Sequence, residues 1–252
     1  MVFRLSHIIL SMKKLLLSLF FISLFASSFA QERYNRDLIV KWAPGSLASG
    51  KLTIAGEYNF KKKHSVELVI GIPKEKTHHF EYDGNTSDLG IKAFSALAGY
   101  RYYLGRKDVS GFYVEPYAKY LHHQASGVLI GTLNGETAMF ETRTDYKGIG
   151  VGAQLGVQFL IAKKVSLDFF LLGPEANSSK FSTIATDVAS SIPWTYVEAS
   201  EAEQDVKDVL KNIPLVGKKI EVTVDQATKT VTTRYSGFMP GIRFGASIGI
   251  RL

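Results

Sequence analysis

The sequence predicts an all-β fold, an eight-stranded antiparallel transmembrane β-barrel, on three observations. From about residue 37 onward, apolar residues alternate one by one with polar residues or glycines. That is the period of a strand with two chemically different faces. The connections between alternating segments are short and long in turn, as in outer-membrane barrels with short periplasmic turns and longer extracellular loops. A secretory leader precedes the alternation.

The leader reads clearly. Lys13 and Lys14 precede an apolar run at 15–25, and Ser28 and Ala30 stand at the −3 and −1 positions of a cut after Ala30. Met12 by itself opens a compact signal. Residues 15–30 give sixteen positions, several of them serine, short of the ~20 apolar residues of a membrane helix. The expected organisation is a signal peptide at 1–30 and a barrel domain at 31–252. Without Arg4, Lys13 and Lys14, 27 basic residues face 23 acidic ones. That surplus is too small to point to nucleic acid. The absence of cysteine excludes a disulfide framework, a thiolate zinc site, a cysteine nucleophile and a lipoprotein anchor.

The strands follow in order. Leu38, Val40 and Trp42 share one face of a short first segment. Segment 51–60 sets Leu52, Ile54, Tyr58 and Phe60 against Lys51, Thr53 and Glu57; segment 65–72 sets Val66, Leu68, Ile70 and Ile72 against Ser65 and Glu67. In 93–104, Phe94, Tyr100 and Tyr102 oppose Ser95, Gly99 and Arg101, and in 111–120, Phe112, Val114 and Tyr120 oppose Tyr113, Glu115 and Lys119. Segment 147–161 opposes seven apolar residues from Ile149 to Ile161 to Gly148, Gly150, Gly152, Gln154, Gly156 and Gln158. Segment 165–172 opposes Val165, Leu167 and Phe169 to Ser166 and Asp168; the last, 241–252, opposes Ile242, Phe244 and Ile248 to Arg243, Gly245 and Arg251. That makes eight strands, an even number that closes a barrel.

Tight turns are expected near 61–63, 105–110 and 162–164, with an intermediate loop at 43–50 and long loops at 74–89, 123–143 and 174–235. The last is too long to lack structure. Within it Ala199, Ala202, Val206, Val209 and Ile213 share a helical face that Pro214 ends. This short helix serves either as an extracellular lid or partner surface or packs on its own loop, and the shortness of the apolar face favours the second. Residues 219–224 and 228–235 make a hairpin or two more strands, ten in all.

The polar face carries Glu57, Glu67, Arg101, Glu115, Lys119, Asp168 and Arg243. In a soluble sandwich these would be solvated surface; in a barrel of about eight strands the interior is just wide enough for side chains to fill. They are therefore read as a structural lumen cluster. Aromatic residues at the ends of the apolar faces fit interface girdles.

The leader ending in Ala-Gln, paired strands such as 52–60 with 65–72, and the closing strand 244–252 resemble small outer-membrane β-barrels of Bacteroidota-type bacteria, similar in architecture to the OmpA transmembrane domain. The resemblance implies residence in the bacterial outer membrane, contact with its lipid and lipopolysaccharide, and passage through the outer-membrane assembly machinery. Members of this group usually end in an aromatic residue; Leu252 takes that place here.

Sites for chemistry are sparse. His78-His79 and His122-His123 are adjacent pairs, and neighbours in an extended chain point to opposite sides, so neither chelates by itself. Gly148-x-Gly150-x-Gly152 lies inside an alternating strand and opens no helix, unlike a dinucleotide loop. His122, His123 and Ser126 with Glu115 are the candidates for lipid acyl hydrolysis or transfer, but Glu115 and His123 stand roughly 26 Å apart along a strand. A lumen filled by Arg101, Glu115, Lys119 and Arg243 would make a poor passive pore. No catalytic residue, metal or cofactor is assigned. The expectation is a structural or surface-interaction barrel, with a lipid-modifying enzyme or a small pore as the alternatives.

Overall fold

Alternation along the chain becomes a sheet that closes on itself. The computed structural model describes residues 37–252 apart from 83–84, 106–108, 134–135, 190–191 and 212–216; the predicted signal peptide lies outside the described residues. The strands are β1 (Asp37–Ala43), β2 (Lys51–Lys61), β3 (His64–Pro73), β4 (Lys76–Tyr82), β5 (Asn85–Tyr103), β6 (Gly111–Leu133), β7 (Glu136–Ile161), β8 (Val165–Asp187), β9 (Glu221–Asp225) and β10 (Thr230–Arg251). Every pairing is antiparallel, in the order β1-β2-β3-β5-β6-β7-β8-β10. β10 returns to β1 through the register Ile39↔Arg251 to Trp42↔Ile248, which closes the ring. The fold is an all-β barrel of eight strands with, among the described residues, one α-helix, α1 (Tyr196–Leu210).

The two remaining strands lie on the edges. β4 pairs only with β5, and β9 only with β10. Residues 219–235 do contain a hairpin, but its second arm is the start of β10, so the extra strands that bring the total to ten are β4 and β9.

The wall is uneven. β1, β2 and β3 have 7, 11 and 10 residues, whereas β6, β7 and β8 have 23, 26 and 23. The segment 123–143, expected as a loop, is strand on both sides of residues 134–135, with partners from His123↔Tyr146 to Leu133↔Glu136. The segment 74–89 likewise holds β4 and the start of β5, and the insertion placed at 174–235 is confined to 188–229. The physical reason is shared. Along 123–133 and 136–147 neither strand face is continuously apolar, so no period of two marks the strand; backbone pairing alone carries it on.

Two of the expected tight turns are described throughout. Residues 62–63 join β2 to β3, and 162–164 join β7 to β8, where Ala162 and Lys163 both take positive φ (48° and 61°). The mirror-image turn that fits strand twist requires that conformation. At the other end a 3₁₀ turn, Pro44–Ser49, follows β1 and ends at Gly50, φ 70°. The Gly50 carbonyl accepts from the amides of Lys74 and Ala93, and a β-carbon there would stand 2.3 Å from the Ile91 carbonyl oxygen. Only glycine lets this turn lie against β5.

Helix α1 packs on its own insertion and on the adjoining ends of β10 and β7. Thr195 and Glu198 form a reciprocal capping box at its start. Ala199 and Ala202 are buried with Trp194, Val222 and Val231, and Val206 packs beside them. Of the apolar face predicted for this helix, the Val209 side chain, Ile213 and Pro214 lie outside the described residues.

Candidate functional site in the barrel lumen

Parity sorts the side chains. On β7 the outward residues Ile149, Val151, Leu155, Phe159 and Ile161 are exposed, while Gln154 and Gln158 are 1% and 0% exposed. The same inversion runs round the ring: the interior of this barrel is polar and charged, and the exterior is apolar.

At the centre of the lumen lies Arg101 of β5, fully buried. Its guanidinium donates to Glu67 (β3) at 2.6 Å, Glu115 (β6) at 2.7 Å, Asp168 (β8) at 2.7 Å and Glu57 (β2) at 3.3 Å. Lys41 of β1 joins from the other side, with its Nζ 2.5 Å from Glu57, 2.9 Å from Asp168 and 3.1 Å from Glu67. Four carboxylates thus surround two cations, and neutral donors reach three of the carboxylates as well. The hydroxyls of Ser65 and Tyr103 donate to Glu57, each at 2.6 Å; Tyr113 donates to Asp168 and the Gln154 amide to Glu115, both at 2.7 Å. The Tyr113 ring also lies 4.3 Å from the Arg101 guanidinium carbon, close enough for a cation–π contact.

Glycines make room for these groups. A β-carbon on Gly99 would sit 2.1 Å from Glu115 Oε1, and one on Gly156 would sit 2.2 Å from the Tyr113 ring.

Above this cluster, toward the long-loop end, a second layer has the opposite balance. Lys119 pairs with Glu175, which also accepts from the Tyr117 hydroxyl at 3.0 Å. Arg243 donates to the Gln154 side-chain carbonyl and lies over the rings of Phe170 (4.3 Å) and Tyr117 (5.4 Å). Lys51 reaches the Ser95 hydroxyl at 3.3 Å.

Of the seven residues predicted for the lumen cluster, Glu57, Glu67, Arg101, Glu115 and Asp168 meet at one point. Lys119 and Arg243 belong to the upper layer, and Gln154 links Arg243 to Glu115. Sequence reasoning missed Lys41, although parity with Leu38, Val40 and Trp42 would have found it. It also missed Glu175, for a physical reason. The register shift on β8, opposite Leu155/Gly156 and Arg243/Gly245, leaves Leu171 and Leu172 both exposed. Inward positions therefore change from even to odd along the strand.

The other candidates scatter. His122 points outward and bonds Asp145 at 2.7 Å, His123 points inward, and Ser126 stands on the outward side roughly 13 Å farther along the strand. Glu115 is held by Arg101, so these four residues form no triad. His78 bonds the Ala48 carbonyl and His79 the Asp88 carboxylate. Among the described residues no three His, Asp or Glu side chains are grouped to hold a metal ion, and no helix is long and apolar enough to cross a membrane, which does not bear on crossing by strands.

Comparison with known proteins yields a family match. A family model described as "Protein of unknown function (DUF3575)" covers residues 17–173, more than half of the chain and the stretch that supplies every member of the Arg101 cluster. No curated protein and no solved structure matches.

Proposed function

The chain belongs to the DUF3575 family, and from that premise and the outward face of its barrel we propose that it is a bacterial outer-membrane β-barrel with a structural or surface-interaction role. The observation that carries this reading is the apolar exterior. Ile149, Ile242, Phe244 and Phe112 are 61–73% exposed, and soluble monomers rarely leave contiguous apolar patches beyond a few hundred Å² in water.

The band has edges. On β7 the outward side changes from Glu141, Arg143, Asp145 and Lys147 to Ile149 and stays apolar to Ile161. That is roughly 40 Å of strand, or about 28 Å of height at ~45° tilt, close to the ~25 Å apolar belt of outer-membrane barrels. Phe94 and Tyr120 pack at the upper edge and Phe60, Tyr100 and Tyr102 with His64 at the lower; aromatic girdles take these places. The 26 residues of β7 exceed the ~9–11 needed to cross. The excess, with β4, β9 and α1, would stand outside the cell as a platform for a partner. Lipid and lipopolysaccharide would contact the band, and the assembly machinery would insert the chain after cleavage following Ala30. The Arg101 cluster fills the lumen and suits a closed barrel better than a pore.

Fractionation tests this. The protein should sediment with outer membranes, require detergent for release and migrate faster unheated than boiled in SDS gels. Folded protein recovered from the soluble periplasm would overturn it.

A further inference from the structure

We infer that the upper lumen is a binding site for a small organic oxyanion, a carboxylate or a phosphate. A chamber of about 240 Å³ opens above the Arg101 cluster and is lined by Lys51, Ser95, Lys119, His123, Glu175 and Arg243. It has space for roughly eight waters at ~30 Å³ each, enough for an oxyanion on a short carbon skeleton.

The charge count carries the assignment. Three cations, Lys51, Lys119 and Arg243, share this chamber with one carboxylate, Glu175, which is taken by Lys119. Among the described residues no carboxylate oxygen lies within 4.0 Å of Lys51 Nζ or the Arg243 guanidinium. Lys51 meets a hydroxyl and Arg243 an amide carbonyl. Arg101 in the lower cluster, by contrast, has four carboxylates within direct reach. Cations enclosed without a directly paired carboxylate are costly, and an anion entering from the long-loop end would offset that cost.

Two further features suit a ligand. His123 Nε2 is shielded from water and has no hydrogen-bond partner among the described residues, while its ring lines the same chamber. Arg243 is held against Phe170 and Tyr117, so its planar fork is positioned in advance for a two-oxygen acceptor. Leu97 and Leu121 supply an apolar wall, which favours a carbon skeleton over a bare ion. The inference concerns the lumen and does not depend on the membrane reading: recovery of the protein in a soluble fraction would leave it standing.

Calorimetric titration of the purified full chain in neutral detergent tests it, with succinate and inorganic phosphate as probes at constant ionic strength in chloride. At least one probe should bind saturably with one-to-one stoichiometry, and the two arms distinguish a carboxylate from a phosphate ligand. Lys51→Gln and Arg243→Gln should each weaken binding at least tenfold, while Lys180→Gln on the outer surface should leave it unchanged. Heat-modifiable migration checks that each variant is folded. Lys51, at the rim beside the 3₁₀ turn, provides the decisive variant if Arg243→Gln does not fold. Absence of saturable binding of both probes to the wild-type chain overturns the proposal, as does binding that Lys51→Gln leaves intact.

Discussion

Arg101 Nη1 and Asp168 Oδ2 meet at 2.7 Å, although their strands, β5 and β8, are separated in the ring by β6 and β7. The pair therefore crosses the lumen and ties opposite walls of the barrel. Lys41 reaches the same Asp168 oxygen at 2.9 Å from a third direction.

Removing the arginine should be the most damaging single change in the lumen. Arg101→Ala leaves four buried carboxylates to one lysine, and breaking a buried ion pair by deleting one partner costs ~3–5 kcal/mol. Urea unfolding in detergent should show a loss of that size, against none beyond ~0.5 kcal/mol for the exposed control Lys62→Ala. Arg101→Lys should also destabilise, because one ammonium cannot replace a fork that reaches four acceptors. Equal stability of Arg101→Ala and Lys62→Ala would mean the cluster is not formed.

Gly99 tests the same cluster sterically. Its missing β-carbon leaves the space that Glu115 Oε1 occupies, so Gly99→Ala should cost ~1–3 kcal/mol by overpacking. In a Glu115→Ala background that steric cost should largely disappear. A double-mutant cycle in denaturant would show the non-additivity, and simple additivity of the two changes would contradict the contact.

The two faces of β7 can be compared at adjacent positions. Leu155 is half exposed and Gln154 is 1% exposed. If hydrocarbon surrounds the band, Leu155→Arg should cost ~2–4 kcal/mol in lipid vesicles. Gln154→Arg should also destabilise, by placing a third cation between Arg101 and Arg243. A harmless Leu155→Arg in vesicles would leave the exterior facing water.

Topology can be read from a chain without cysteine. Cysteine placed at Ser200 in α1 or at Thr228 in the turn before β10, both exposed, should react with a membrane-impermeant maleimide on intact cells. Cysteine at Lys62, in the turn between β2 and β3, should react only after lysis. Ser87 is a poor reporter because it is 2% exposed and accepts from the Ile130 amide. The reverse labelling pattern would turn the barrel upside down.

Helix α1 should respond to acid through its cap. The backbone amide and hydroxyl of Thr195 donate to Glu198 at 2.6 and 2.8 Å, which holds that carboxyl below the usual glutamate range. A carboxyl whose folded pKa is depressed stabilises fully above its unfolded pKa and loses that contribution as pH falls through the folded value. Amide protection in α1, corrected for intrinsic exchange, should therefore decline as pH falls through and below the usual carboxylate range. In Glu198→Gln that decline should be smaller at the start of the helix, while Asp208, held low by Lys211 at its other end, still titrates; an identical decline in the variant would assign the effect elsewhere.

Strand existence and strand facing were legible wherever the two faces differ chemically. Ile149 to Ile161 against Gly148 to Gln158 has one geometric solution, and so does Ile242 to Leu252 against Gly241 to Arg251. Where both faces are mixed the pattern is silent: nothing in 123–133 distinguishes a paired strand from a loop, and the pairing of Val128 with Glu141 is visible only in the fold. Lys41 was recoverable from parity, whereas Glu175 was not, because the register shift at Leu171–Leu172 reverses the rule on the strand that carries it.

The sequence by itself determined that the chain is all-β, that its strands alternate apolar and polar faces, and that Glu57, Glu67, Arg101, Glu115 and Asp168 share the polar side. These properties are local, because a period of two needs only neighbouring residues. Only the tertiary structure decided that those five residues and Lys41 converge on one point, that Lys119 and Arg243 stand apart from them in an under-neutralised layer, and that five strands outgrow the other three. Convergence depends on ring closure and on the register of each strand, and a single bulge is enough to change which side chain arrives.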